Sequence, residues 1–239
     1  MMKSTFPGFS LDALAFLRKL KRNNKREWFQ PRKEQFETLI KLPMLELVAC
    51  MNQELARFAT GYVTPPQKAV YRIYRDTRFS PNKTPYKTHI AAIFPKHTAV
   101  KREGAVFYMH FTPDELLVFS GVYSPERDEL LAYRTLIQEH YQELEEILRE
   151  KKLRQLSGGL QGEELSRMPK GFPVDHPAEA LLRKKQWYLE CVLDVKVVTS
   201  PRLVPEIVRH FQAMTPFVEF MNRAFARKHQ PKKMPFMAF

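Results

Sequence analysis

The residues with the clearest capacity for chemistry lie in the middle of the chain, between Tyr71 and Lys87. Residues 68–89 contain six lysines and arginines but a single acid, Asp76. The guanidinium group of arginine is a rigid planar fork that binds phosphate or carboxylate through two hydrogen bonds. This segment therefore predicts an anion-binding site, and its candidate ligand-binding residues are Arg72, Arg75, Arg78, Lys83, Tyr86 and Lys87.

The role of Asp76 stays open at the level of sequence. One carboxylate cannot neutralise so many cations, so Asp76 could orient the arginines and leave spare donors for an anion. Alternatively, it could neutralise Arg72 or Arg78 within a purely structural ion network, an arrangement that is a weak source of stability. A third hypothesis makes Asp76 the acid or base of an enzyme that acts on a phosphorylated or other anionic substrate beside the same cations.

Histidines provide the other candidates for acid–base chemistry. His176 follows Asp175 in a connector rich in glycine and proline, and such loops often carry functional residues. A neighbouring acid can tune the pKa of a histidine, so His176 joins Asp76 as a candidate catalytic residue, although adjacent side chains seldom face each other. His89 and His110 lie on predicted strands, where they either approach each other or serve as ordinary core or surface residues.

Several cofactor-dependent chemistries lack their characteristic spacings. The chain has no His-Glu-x-x-His or paired-cysteine pattern for a metal. It also has no Gly-x-Gly-x-x-Gly motif or P-loop, which disfavours nucleotide binding of those types. Cys50 and Cys191 are far apart and lack a neighbouring base, which indicates packed thiols in a reducing cytoplasm. We therefore predict no metal, no cofactor and a cytoplasmic location.

The charge balance favours anionic partners. The 239 residues include 39 lysines and arginines against 26 acids, a net charge of +13 that raises the local concentration of anions. The expected partner is an anionic small molecule or a nucleic-acid backbone, although a basic surface kept for solubility explains the same excess. No apolar run approaches the roughly 20 residues that span a bilayer, and no secretory signal is recognisable at the N-terminus. No pattern predicts an oligomeric state.

The first quarter of the chain is predicted to be helical. Ser10 is a good N-cap for a helix with leucines at helical spacing, and Asn23-Asn24 marks the end of that helix. Helical periodicity continues to Gly61 and is broken or restarted at Pro43.

The middle of the chain changes to the period of β-strands. Residues 69–75 are rich in β-branched and aromatic side chains and predict a strand, and Ile90–Phe94 predicts a second one. Apolar and polar residues alternate over 105–111, and after a turn residues 116–123 run back, which predicts an antiparallel hairpin. The remaining predicted elements are a long charged helix from Pro125, a strand at 187–198 and a closing helix at 205–226.

The order of these elements predicts an α+β fold, because helices are followed by strands and not by repeating βα units. The expected architecture is a mainly antiparallel sheet flanked by an N-terminal helical layer and long helices. We predict a single domain over residues 1–226, followed by a basic flexible tail at residues 227–239.

Three motifs give the chain a resemblance to a known family. The central segment reads Arg-x-x-Arg-Asp-x-Arg-Phe from Arg72, followed by Asn-Lys-x-x-Tyr from Asn82. An Asn-Asn-x-x-Glu-Trp-Phe motif starts at Asn23, and Pro-x-Gly from Pro169 precedes Asp-His-Pro from Asp175. Over nearly the whole chain, these motifs resemble those of an uncharacterised, widespread bacterial family known as domain of unknown function 2461. The resemblance implies a single domain of bacterial cytoplasmic origin, and it assigns no reaction, cofactor or catalytic residue.

Overall fold

The computed structural model describes residues 6–97 and 104–225, in which helices and a four-stranded sheet share a core. Buried hydrophobic side chains from Phe6 to Phe225 form one cluster, and the α+β class predicted from the sequence is confirmed. The predicted basic tail at residues 227–239 lies outside the described residues. In the described ranges, no helix combines the length and the apolar character that crossing a bilayer requires.

The N-terminal layer is helical, as the sequence predicts. Its helices are α1 (Leu11–Arg22), α2 (Arg26–Phe29), α3 (Lys33–Phe36), α4 (Leu42–Phe58) and α5 (Pro66–Ala69). Ser10 caps α1, because its Oγ accepts a hydrogen bond from the amide of Ala13 at 3.2 Å. Leu17 and Leu20 of the same helix are fully buried, so the predicted apolar stripe is the face that enters the core.

Pro43 restarts the helical chain and does not end it. Residues Glu37–Lys41 form a π turn between α3 and α4, and Pro43 occupies the first turn of α4. Proline has no amide hydrogen and its ring crowds the preceding turn, so a wider turn ahead of it avoids a clash. The break predicted at this residue is therefore a local change of helical pitch.

The strands form an antiparallel meander in which neighbours in sequence are also neighbours in space. They are β1 (Ile90–Phe94), β2 (Val106–Phe111), β3 (Glu115–Val122) and β4 (Trp187–Asp194), in the order β1-β2-β3-β4. The pairing of β2 with β3 confirms the hairpin predicted from alternating residues. Strand β4 ends before the predicted residue 198, since Val195–Val197 turn into a 3-10 helix that is capped by the Asp194 side chain.

One face of the sheet packs on a long buried helix. The helices of the second half are α6 (Arg127–Arg149), α7 (Lys151–Ser157), α8 (Glu179–Leu182) and α9 (Leu203–Asn222). Phe211 of α9 packs against Phe94 of β1 and Phe107 of β2, with ring centroids 6.1 and 4.8 Å away. Helices α4, α6 and α7 also contact α9. Because side chains alternate along a strand, the intervening residues of β1 to β3 point to the opposite face of the sheet.

The prediction of a strand at residues 69–75 is wrong. Helix α5 extends to Ala69, and beyond it isolated bridges, and not a ladder, pair the chain with its neighbours. The amide of Arg75 donates to the carbonyl of Pro85 at 2.9 Å, but proline has no amide with which to return the bond, so a regular ladder cannot form. The β-branched and aromatic residues instead belong to an irregular loop beside β1. This loop comprises residues 70–89, and we call it the arginine loop.

Asn24 fixes the arginine loop to the N-terminal layer. Its side-chain amide donates to the carbonyl of Tyr86 at 2.9 Å, and its Oδ1 accepts from the Tyr86 amide at 3.0 Å. The ring of Tyr86 is buried and stacks on Phe29, with centroids 4.1 Å apart. The second asparagine of the Asn-Asn motif therefore positions a segment that lies 62 residues further along the chain.

Asn24→Ala is expected to destabilise the protein by about 2–3 kcal/mol, since it leaves the amide and carbonyl of Tyr86 without their partners. Asn23→Ala is the matched control, because the Asn23 side chain is exposed and bonds to the carbonyl of Lys19 within the end of α1. Urea unfolding followed by circular dichroism measures both. A loss for Asn24→Ala no larger than that for Asn23→Ala would contradict the anchoring role.

Candidate functional site

A cavity of about 460 Å³ lies on the face of the sheet opposite α9, beside the arginine loop. Its volume falls within the range of small-molecule sites. Ala91, Leu117 and Phe119 give it an apolar centre, whereas Lys87 and Glu190 bring opposite charges to it. We call it the sheet cavity and treat it as the candidate functional site.

The register of the strands explains which side chains meet in the sheet cavity. Residues paired directly across neighbouring strands form two rows on this face: Ile93, Tyr108, Phe119 and Glu190 in one, and Ala91, His110 and Leu117 in the other. Because residues two apart on a strand share a face, both rows point away from α9. Lys87 comes just before β1 and Glu190 lies on β4, so the two charges flank the cavity from opposite edges of the sheet.

Two histidines lie side by side in the cavity, with ring centroids 5.0 Å apart. The hypothesis that His89 and His110 approach each other is therefore confirmed. The Nδ1 of His110 lies 3.1 Å from the hydroxyl oxygen of Tyr108, which is hydrogen-bonding distance. A neutral imidazole donates at one nitrogen and accepts at the other, so the three side chains offer both kinds of hydrogen bond to a ligand.

Burial lowers the pKa of both imidazoles. The pKa of His89 falls from 6.5 to about 4, because burial disfavours the charged ring and because His110, Lys87 and Arg75 add repulsion. Burial also lowers the pKa of His110, and the nearby carboxylate of Glu115 acts in the opposite direction. Both rings are therefore neutral near pH 7, and a ligand meets them as hydrogen-bonding groups without charge.

We expect the free energy of unfolding to fall as the pH drops from about 6.5 to about 4. In this window the unfolded chain protonates His89 while the folded chain keeps the ring neutral, so protons favour unfolding. Below the lower value both states are protonated and the effect levels off. Because the ring is partly exposed, the expected loss is about 1–3 kcal/mol, less than the full shift in pKa would give.

The contribution of His89 is separated from that of the carboxylates by comparing variants. His89→Gln should remove this part of the pH dependence, and His140→Gln, which changes a histidine of α6 outside the cavity, is the matched control. Urea unfolding at neutral pH and near pH 5 compares the three proteins. The same pH dependence in His89→Gln as in the native protein would show that burial does not keep this ring neutral.

Lys87 is the cation that lines the cavity, and the charge of Arg75 is close enough to His89 to disfavour the protonated form of that ring. The Nζ of Lys87 lies 4.6 Å from the centroid of the Tyr71 ring, a cation–π contact. The guanidinium of Arg75 donates to the hydroxyls of Ser80 and Thr84 at 3.4 and 3.3 Å. A guanidinium has five N–H donors, so Arg75 keeps donors for an anion after these two bonds.

The other residues of the predicted anion site have different surroundings. Arg78 forms a two-point ion pair with Asp76, with Nη2 to Oδ2 at 2.7 Å and Nε to Oδ1 at 3.0 Å. Lys83 donates to the carbonyl of Thr77 at 3.0 Å, and Arg72 lines a separate hollow of about 270 Å³. Together with the buried Tyr86 ring, these residues lie outside the sheet cavity. Of the donors predicted from the sequence, Lys87 lines the sheet cavity, and Arg75 acts on it through its charge near His89.

Neither candidate catalytic residue lines the cavity. Hydrogen bonds from Arg78 lower the pKa of the exposed Asp76 to about 2, so this carboxylate stays ionised and is a poor proton acceptor. The Nδ1 of His176 accepts a bond from the amide of Ala178 at 3.1 Å, and its ring packs edge-on against Tyr141 of α6. Asp76 and His176 thus have partners that lie outside the sheet cavity. Across residues 6–97 and 104–225, no group of three or more His, Cys, Asp or Glu side chains is placed to hold a metal ion.

Reasoning from the sequence missed several residues that shape the cavity, namely Tyr108, Phe119, Tyr123 and Glu190. The signal was present in the alternation along β2 and β3, where aromatic residues also occupy positions that face away from α9. Such positions are commonly polar in an antiparallel sheet with one solvated face. Aromatic rows on that face are therefore a sign of a binding surface.

Comparison with known proteins identifies a family. Neither the curated proteins nor the solved structures include a significant match to the chain. A family model described as "Conserved hypothetical protein (DUF2461)" matches residues 12–220, which is most of the chain. This match agrees with the resemblance carried by the sequence motifs. The chain therefore belongs to the DUF2461 family of conserved hypothetical proteins.

Proposed function

We propose that the protein binds a small anionic ligand, with a phosphate or carboxylate on an apolar body, in the sheet cavity. The observation that carries this proposal is an apolar cavity of ligand size with the cation Lys87 in its wall. Small-molecule sites typically combine apolar walls with a few polar groups that orient the ligand. The net charge of +13 adds long-range attraction for an anion.

A charge at the edge of an apolar cavity is well suited to hold an anion. Surroundings of low polarity strengthen the attraction between the ammonium of Lys87 and an anionic group. The charge of Arg75, whose guanidinium is oriented by two hydroxyls, also acts on the cavity at His89 and adds attraction for the same anion. The neutral rings of His89 and His110 add hydrogen bonds.

A thermal-shift screen tests the proposal with inorganic phosphate, small carboxylates, aryl phosphates and phosphorylated metabolites at two salt concentrations. A ligand that binds the folded state raises the melting temperature by mass action. We expect compounds that join an apolar body to a phosphate or carboxylate to give larger shifts than inorganic phosphate. If none of these anions shifts the melting temperature, the proposal is wrong.

Lys87→Met is expected to weaken binding of the best anion about 10- to 100-fold, because it removes a charge-assisted hydrogen bond while keeping an apolar stem. Lys152→Met is the control, since Lys152 is exposed on α7 and does not line the cavity. Isothermal titration calorimetry measures both dissociation constants. Equal effects of the two substitutions would mean that net charge alone matters, contrary to the proposed site.

A second candidate function is acid–base catalysis on the bound ligand, which the closeness of His89, His110 and Tyr108 favours. A positioned imidazole can take a proton from a reacting group or return one. Incubation of the best ligand with the protein, followed by mass spectrometry, tests for turnover. His110→Asn should abolish product formation on this view and change the dissociation constant much less. Absence of product from the native protein rules out this candidate and leaves the binding proposal intact.

A further inference from the structure

We infer that the ligand of the sheet cavity is a nucleotide, with its phosphate beside Lys87, its base against aromatic side chains and the N–H groups of the base bonded to Glu190. This inference rests on the proposed function, because it names the class of anion that the same cavity takes. It follows from the aromatic walls, from the presence of an acid and from the placement of the two charges in one cavity.

Aromatic rings form the walls of the cavity over β2 and β3. The rings of Tyr108 and Phe119 meet at 88° with centroids 6.0 Å apart, and those of Phe119 and Tyr123 meet at 75°. Phe119 is buried and stacks on Tyr188 with centroids 5.1 Å apart, so its less buried neighbours Tyr108 and Tyr123 are the rings that face a ligand. A planar base stacks well on such faces, and an aliphatic ligand would not need them. Tyr123 is 61% exposed, so its ring is accessible to a ligand that enters from solvent.

Glu190 is the feature that an ordinary anion site does not explain. Its side chain is half-buried, lines the cavity and follows Phe119 in the same row across the sheet. It makes no hydrogen bond or ion pair with any residue that the structure describes, and it stands in a protein with a large excess of cations. A carboxylate accepts hydrogen bonds and repels a second acid, so its natural partner is a set of N–H donors on the ligand.

Nucleobases supply donors of this kind. Glutamate accepts a hydrogen bond from the amino group of cytosine in nucleic-acid recognition, and guanine carries an amino donor as well. In guanine the amino group and a ring N–H point in the same direction, which matches the two oxygens of one carboxylate. Guanine is therefore the base that Glu190 fits best.

The placement of the two charges suits a single ligand that carries both an anion and N–H donors. Lys87 precedes β1 and Glu190 lies on β4, at the opposite edge of the sheet. Both side chains line the same cavity, so one ligand within it can contact both of them. The volume of about 460 Å³ is that of a site for one small ligand, so we assign a free mononucleotide.

Isothermal titration calorimetry with guanosine monophosphate, uridine monophosphate and ribose phosphate tests this inference. We expect guanosine monophosphate to bind at least about tenfold more tightly than ribose phosphate, which has no ring to stack and no N–H donor for Glu190. Uridine monophosphate should bind more weakly than guanosine monophosphate, because the carbonyl oxygens on either side of its ring N–H repel the same carboxylate.

Glu190→Gln should reduce the preference for guanosine over uridine monophosphate about tenfold, since the paired acceptor oxygens are replaced by one acceptor and one donor. Glu46→Gln, which alters an exposed acid of α4, is the matched control and should keep the native preference. Ribose phosphate serves as the internal reference for the phosphate end, and thermal unfolding without ligand confirms that each variant is folded. An unchanged preference in Glu190→Gln would overturn the inference.

The remaining outcomes separate this inference from the proposed function. Ribose phosphate binding as tightly as guanosine monophosphate would overturn the nucleotide assignment and leave the anion site intact. Failure of every phosphate and carboxylate to bind would overturn both. A single-stranded oligonucleotide that binds more tightly than the mononucleotide, with an affinity that falls steeply with salt, would overturn the assignment of a free nucleotide.

Discussion

Leu117→Trp is expected to abolish ligand binding while the protein stays folded. Leu117 lines the sheet cavity from β3 and is partly exposed, so an indole at this position takes the space that the apolar body of the ligand needs. Strands accept tryptophan readily, and we expect stability to change by less than about 1 kcal/mol. The thermal shift produced by the best compound of the anion screen measures the loss of binding.

Val192→Trp is the matched control for this substitution. Val192 is directly opposite Leu117 in the pairing of β3 with β4 and is 56% exposed, but it does not line the cavity. The same side chain is thus added to the same face of the sheet, one strand away. If Leu117→Trp retained the ligand response with both variants folded, the ligand would have to bind outside the sheet cavity.

Local patterns were sufficient to predict most of the fold. The hairpin of β2 and β3 and the helix α1 with its Ser10 cap follow from periodicity and turn chemistry, which are properties of neighbouring residues. The prediction of a strand at residues 69–75 was wrong because a strand depends on a distant partner segment and not on neighbouring residues alone. A strand exists only where a partner completes its ladder, and the missing amide of Pro85 on the partner segment prevents this.

The candidate site was harder to predict, because strand register creates it and no single segment contains it. Arg75 and Lys87 could be found from the sequence, since an excess of cations within one segment is visible there. Glu190 could not, because it lies far along the chain in β4 and only the pairing with β3 brings it beside Phe119. The same holds for Asn24, whose contact with the arginine loop has no local signature.

The arginine loop presents two sides with different surroundings. On its exposed side, Arg78 and Asp76 neutralise each other, and exposed ion pairs of this kind add little to stability. Elsewhere in the loop, Arg75 is held by hydroxyls near His89, and Lys87 lies over the ring of Tyr71 in the wall of the cavity. We therefore assign the structural interpretation of the arginine motif to the first pair and the proposed anion site to the second.

Asn222, at the C-terminal end of α9, holds the start of β2 in place. Its side-chain amide donates to the carbonyl of Ala105 at 2.9 Å and to the hydroxyl of Tyr62 at 2.7 Å, and its Oδ1 accepts from the Ala105 amide at 2.8 Å. Ala105 and Tyr62 are both buried, so water cannot replace these bonds. Because β2 carries Tyr108 and His110 into the sheet cavity, this clamp also supports one wall of the candidate site.

Asn222→Ala is expected to lower the free energy of unfolding by about 3–5 kcal/mol. Three buried hydrogen bonds are lost, and water cannot reach the partner groups to replace them. Gly104→Ala should destabilise through the same clamp, since Gly104 has a φ of +102° and a Cβ there would collide with the Oδ1 of Asn222. Because both substitutions break the same clamp, the loss of unfolding free energy in the double variant should be well below the sum of the two single losses. Urea unfolding of the single and double variants measures this coupling, and strict additivity would show that Asn222 stabilises the fold by a different route.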